Sequence, residues 1–201
     1  KKDHNLLSSS ICDANAVAPF LKLLDDSFGI ELGEITTLHP WLGYQNLLDG
    51  TISSVSNPGH FWTDYALGRS SLNNLIPKET RLMESLDEVI PLVSDRIHAS
   101  SFRTPTSIVS AADGVFLLKE KTSIENIIKQ ISNYQKKFPG VLHLEDRSLV
   151  SIDFKKTSYA ASIDKRWLYL NNGKLLKFVL WYDNEYGYSS RTLNLAKRIF
   201  H

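Results

Sequence analysis

Val17, Leu21, Leu24 and Phe28 recur at helical spacing, so the segment beyond Cys12 reads as an amphipathic helix. Pro19 falls inside this pattern and allows two starts, one near the proline and one at Cys12 followed by a bend. Residues 29–39, "GIELGEITTLH", are rich in isoleucine and threonine and predict a strand. Residues 50–74, with scattered Ser, Gly and Pro58, predict a long loop of the kind that tends to be functional. Leu82, Leu86 and Val89 share one face of a helix expected over 78–93. Strands follow at 96–102 and 106–121. Ser123 opens a helix to Lys137 that carries Ile124, Ile127, Ile128 and Ile131 on one side. Further strands are expected at 142–145, 158–164, 167–171 and 174–183, the last two joined by the tight-turn pair Asn172-Gly173. Residues 189–200 close the chain as a helix, and "NLL" at 5–7 reads as the end of a strand.

Strand-rich segments with a few helices and no strict βαβ alternation predict one α+β domain over residues 1–201. Its sheet should be mixed and mostly antiparallel, with helices packed on one face. Composition adds exclusions. A net charge of +1 gives no footprint for nucleic acid or an anionic membrane, so neither partner is expected. No apolar run approaches the length of a membrane span, and "KKDHNLLSSS" does not read as a secretory signal, so a cytoplasmic location is expected. The single cysteine excludes an intramolecular disulfide and suits a reducing compartment.

That cysteine sits in "SSSICDANAVAP", between a serine run and a helix start. A buried lone cysteine is commonly a small hydrophobe. At a helix N-terminus, however, unpaired N–H groups and the helix dipole favour thiolate over thiol. The same N–H groups could donate to an oxyanion once sulfur has attacked a carbonyl. His39 ends the following strand and is the candidate base. His4, His60, His98, His143 and His201 read as structural or surface residues. The sequence shows neither the ligand spacing of a metal site nor a phosphate loop, so no metal is expected.

"SICDANAVAP", "DDSFGIELGEITTLHPWLGYQ", "GRSSLNNLIP", "FRTPTSIVS" and "WYDNEYGYSSR" occur in the order of segments in phosphorylating glyceraldehyde-3-phosphate dehydrogenases. The chain resembles the catalytic domain of that family over nearly its whole length. The resemblance implies an oxidoreductase in which Cys12 attacks an aldehyde and His39 assists, with NAD or NADP accepting hydride and inorganic phosphate releasing the thioester. It implies that Asn184 and Tyr188 meet the nicotinamide. Arg103, Thr80 and Arg69 match positions that hold phosphate groups, and Arg81 could add a cation beside Thr80. It also implies a dinucleotide-binding domain ahead of residue 1, an aldehyde or sugar-phosphate substrate, and a homo-oligomer, either dimer or tetramer. The departures are specific. Ile11 and Asp13 stand where the family pattern has hydroxyl residues, Leu42 and Tyr44 replace two phosphate-binding threonines, and Arg81 replaces a glycine. A carboxylate beside the thiol should raise the thiol pKa, and phosphate should be handled poorly. A degenerate binding or scaffold relative and a Cys–His acyl transferase or thioester hydrolase are the alternatives.

Overall fold

Ile11 has extended dihedrals (φ −114°, ψ 162°), and the chain turns from it directly into helix α1, Cys12–Phe28. The computed structural model describes residues 6–43, 45–50, 68–90 and 95–200. Pro19 therefore lies in the helix interior, where it leaves one carbonyl without its usual donor. Packing carries the helix through this point, because Ala16, Val17, Phe20, Leu21 and Leu24 are wholly buried on both sides of it. Gly29 then ends the helix at φ +66°, and its N–H returns to the Asp25 carbonyl.

Among the described residues, eight strands and three more α-helices follow: β1 Ile30–His39, β2 Ile76–Lys78, α2 Leu82–Asp87, β3 Ile97–Arg103, β4 Ser110–Leu118, α3 Ile124–Lys137, β5 Leu142–Glu145, β6 Ala161–Asp164, β7 Tyr169–Asn171, β8 Leu175–Tyr182 and α4 Tyr186–Phe200. The strands form one sheet in the order β2-β3-β1-β4-β8-β6-β5, with β7 paired to β8. β1 and β3 run parallel, as do β5 and β6, and the other pairs are antiparallel. The expected α+β class with a mixed, mostly antiparallel sheet holds.

Several boundaries differ from the sequence pattern, each for a local reason. The helix expected over 78–93 is shorter: its first residue belongs to β2, and Thr80 Oγ1 accepts the Leu82 N–H at 3.2 Å where α2 begins. Residues 91–94 lie outside the described residues, as do 51–67 of the expected loop. β4 starts at Ser110 rather than 106, because Thr104 and Thr106 pair their hydroxyls and Val109 takes φ +71°. α4 starts three residues early, since the Asp183 carboxylate accepts the N–H groups of Glu185 (3.0 Å) and Tyr186 (2.8 Å). Leu6 and Leu7 are not in a strand. The Asn172-Gly173 turn forms as expected, both residues at positive φ.

The core lies between α1 and the sheet. Phe178 stands edge-on to Phe20 and to Phe116, with ring centroids 5.1 Å apart in both pairs. Two glycines make room for these rings. Gly33 faces Phe116 across β1–β4, and Gly114 faces Phe178 across β4–β8. A Cβ would come within 2.0 Å of Phe116 at Gly33 and 2.2 Å of Phe178 at Gly114. Burial of each ring contributes about 1.5–3 kcal/mol.

Candidate active site

The sheet brings the ends of three neighbouring strands together. β1 finishes at His39, β4 begins at Ser110, and β8 finishes at Tyr182, with Ser110 and Tyr182 as register partners. The first turn of α1 meets this end of the sheet and supplies Cys12 and Asp13. Asp13 is 3% exposed and its carboxylate is fully engaged. Oδ1 accepts the Tyr182 hydroxyl at 3.0 Å and the Cys12 thiol at 3.3 Å, while Oδ2 lies 3.2 Å from His39 Nε2. Ser110 Oγ holds the other ring nitrogen of His39 at 3.2 Å. The expected neighbours Cys12 and His39 are brought together, but Asp13 meets both of them.

The electrostatics follow from that placement. Burial, then the adjacent Asp13 charge, pushes the Cys12 thiol up to about 12. The helix terminus does not overcome them. Burial also pushes the Asp13 carboxyl upward, but its contacts with His39 and Cys12 outweigh this and hold it below the ordinary aspartate value. Burial and the Asp13 charge raise Tyr182 well above a free tyrosine. Lys78 also faces this centre: burial lowers its pKa, Asp13 and Cys12 raise it, and the neighbouring Arg103 charge lowers it.

The remaining expected site residues divide. Arg103 pairs in register with His39 across β1–β3, and its guanidinium donates to the Pro40 carbonyl at 3.0 Å. Asn184 accepts the Val109 N–H on Oδ1 at 3.1 Å, which leaves its amide N–H groups as donors. Tyr188 accepts from Ser9 Oγ (2.7 Å) and donates to the Ser10 carbonyl (3.1 Å), so it anchors the serine run ahead of Cys12. Asn15 does the same from within α1, donating to the carbonyls of Ser9 and Ile11. Arg69 and Arg81 have surface partners: Arg69 is exposed and pairs with Asp49 at 3.0 Å, and Arg81 is exposed beside Glu84. Thr80 spends its hydroxyl on the start of α2. Tyr44, His4, His60 and His201 lie outside the described residues. Ser110, Tyr182 and Lys78 are members of the site that the sequence pattern did not single out. The first two sit inside "FRTPTSIVS" and "WYDNEYGYSSR", and Lys78 sits two residues before Thr80 in "IPKET".

A thiol at a helix start, a histidine at the end of the next strand and a mixed sheet beneath them define a class. The family model for the C-terminal domain of glyceraldehyde 3-phosphate dehydrogenase matches residues 11–184, and the chain belongs to that family. Its relatives include glyceraldehyde-3-phosphate dehydrogenase A, chloroplastic, of Chlamydomonas reinhardtii, 35% identical over 98% of this chain and 50% of the relative. Glyceraldehyde-3-phosphate dehydrogenase 3 of Saccharomyces cerevisiae is 33% identical over 98% of this chain and 57% of its own length. The chain thus spans about half the length of the curated relatives it matches. Among the described residues, no helix is long and apolar enough to cross a membrane.

Proposed function

We propose that this chain is the catalytic domain of an aldehyde dehydrogenase that works through a covalent Cys12 adduct. The observation that carries the reading is the contact chain Cys12–Asp13–His39 at the start of α1, 3.3 Å from sulfur to carboxylate and 3.2 Å from carboxylate to imidazole. Sulfur attacks the aldehyde carbon, the carbonyl π pair moves onto oxygen, and the sulfhydryl proton passes by way of the Asp13–His39 pair to that oxygen, giving a thiohemiacetal. NAD or NADP, when bound, would supply the hydride acceptor; the Asp13–His39 pair takes the hydroxyl proton as the adduct is oxidised to a thioester. An attacking oxygen nucleophile then takes the acyl group and returns the sulfur. Asn184 suits the carboxamide end of the cofactor, because its oxygen is occupied and its N–H groups remain donors. Lys78 and Arg103 form the anion-binding side of the site, and Arg69 and Arg81 are exposed cations that an incoming phosphate group would have to draw from Asp49 and Glu84. The sheet face away from the helices exposes Leu32 and Val115 beside Glu34, which supports assembly into a homo-oligomer, a dimer or a tetramer.

The test is steady-state kinetics on the intact protein with phosphorylated and unphosphorylated aldehydes, NAD and NADP, with and without inorganic phosphate. Turnover that Cys12→Ala abolishes is expected. The interposed Asp13 favours a second reading, a relative that binds without oxidising. No nicotinamide reduction with any aldehyde, together with ligand binding that Cys12→Ala leaves intact, would select it.

A further inference from the structure

Cys12, Asp13 and His39 each bring one ligand-type atom to a common point, all within 4.8 Å of one another. The sulfur and the imidazole each touch the carboxylate, one on each oxygen: Sγ lies 3.3 Å from Oδ1, and Nε2 lies 3.2 Å from Oδ2. A tetrahedral zinc ion, with bonds of about 2.0–2.3 Å, sets its ligand atoms roughly 3.3–3.6 Å apart. Each of the two outer donors thus already stands about one tetrahedral edge from a carboxylate oxygen, and all three residues can offer atoms within 4.8 Å of one another.

A separate observation concerns His39. It is 4% exposed, and its Nε2 is buried with no aligned hydrogen bond, although Asp13 Oδ2 lies beside it. A buried ring nitrogen without a proper acceptor or donor is costly and wants a partner. Its other nitrogen is held by Ser110 Oγ, which fixes the ring so that Nε2 faces the cluster. Tyr182 likewise holds Asp13. Outer partners of this kind orient the ligands of metal sites.

We infer that Cys12 Sγ, Asp13 and His39 Nε2 form a three-ligand site for a divalent transition metal, zinc above all, with the fourth position open. The mixed sulfur, nitrogen and oxygen set selects a borderline-soft ion over magnesium or calcium. Binding replaces the S–H bond by an S–Zn bond and releases one proton to solvent. The two negative charges of thiolate and carboxylate balance the ion, while the Lys78 charge opposes it and keeps affinity below that of a closed structural site. A bound ion takes the sulfur away from any other chemistry, so the site acts as a reversible block. That consequence rests on the proposed thiol catalysis, but binding itself does not.

The test uses chelator-stripped intact protein titrated with Co²⁺ and then displaced by Zn²⁺. One equivalent of Co²⁺ should give a thiolate-to-metal charge-transfer band and tetrahedral d–d absorption, both erased by Zn²⁺. Cys12→Ser should abolish the charge-transfer band, and Asp13→Asn and His39→Gln should each weaken binding by at least about tenfold. His143→Gln is the control and should leave the titration unchanged. Absence of the band in the unsubstituted protein would overturn the inference whatever the variants do. So would a band that survives Cys12→Ser. Zinc inhibition of turnover is read separately, so an inactive protein that still binds one Co²⁺ through Cys12 would sink the catalytic reading and uphold the metal site.

Discussion

Removing the Asn184 side chain should separate its structural contact from its proposed work on the cofactor. Val109 is 4% exposed and held at φ +71°, and its N–H has the Asn184 carboxamide oxygen as partner at 3.1 Å. Asn184→Ala strands that buried N–H, which costs about 1–3 kcal/mol. For a domain of this size, each kcal/mol shifts Tm by about 2–4 °C, so a fall of about 2–12 °C is expected. Asn184→Asp keeps an acceptor and gains charge assistance, partly offset by repulsion from Asp183, and should stay within about 1 kcal/mol of the natural protein. Both substitutions delete the amide donors. Both should therefore raise KM for the nicotinamide cofactor by about 5–10-fold, the worth of one hydrogen bond. Thermal unfolding, exchange of the Val109 amide and cofactor KM on the two variants make the comparison. If the aspartate variant loses as much stability as the alanine variant, the Val109 contact is misjudged. If it keeps the natural KM, the cofactor role of Asn184 is wrong.

Glu145, 4% exposed and held at about 2 by its paired hydrogen bonds from Arg147, supplies a pH test. Its carboxyl is depressed on folding, so its stabilisation is full above about pH 4.5 and is lost as pH falls through about 2. Because Arg147 is largely exposed, solvent screening reduces the contribution to about 1–2 kcal/mol, and the stability gap between the natural protein and Glu145→Gln should close over that window in pH-dependent denaturation. Gly114→Ala should cost about 1–3 kcal/mol or more through its clash with Phe178, seen as a lower denaturation midpoint with an unchanged m-value. Asp183→Ala removes the acceptor for three backbone N–H groups and should lower stability by about 2 kcal/mol, with hydrogen exchange accelerated first at Glu185 and Tyr186.

Much of the scaffold was legible because its signals are local. The Ser123 cap and the isoleucine stripe mark α3, and its first helical residue is Ile124. Asn172-Gly173 marks the β7–β8 hairpin through the positive φ that both residues adopt. What escaped was set by distant partners. β2 spans only Ile76–Lys78 and exists because β3 offers it an edge, a fact no three-residue pattern can carry. The α4 start depends on Asp183, whose carboxylate was hidden within a motif noted for its neighbour. At the site, adjacency of Cys12 and Asp13 showed that a carboxylate would oppose the thiolate. The bridge from that carboxylate to His39 and Tyr182 is tertiary, spanning 169 residues in the second case. Arg69 came from the family resemblance and Arg81 from its place beside Thr80; their surface partners, Asp49 and Glu84, are separated from them by 20 residues in the first case and three in the second.

The paired glycine notches have a consequence for how the site is aligned. Each phenylalanine fits only where its cross-strand partner lacks a side chain, so Gly33–Phe116 and Gly114–Phe178 act as two keyed joints along three consecutive strands. A slip of one residue at either joint would drive a ring into a Cβ and turn alternate side chains to the wrong face. His39 lies six residues beyond the first key, about 20 Å at the rise of a strand. The groups at the sheet end are thus brought into line by shape at a distance, before any of them forms a bond. Residues there can therefore be exchanged without loss of the alignment that lets the set meet.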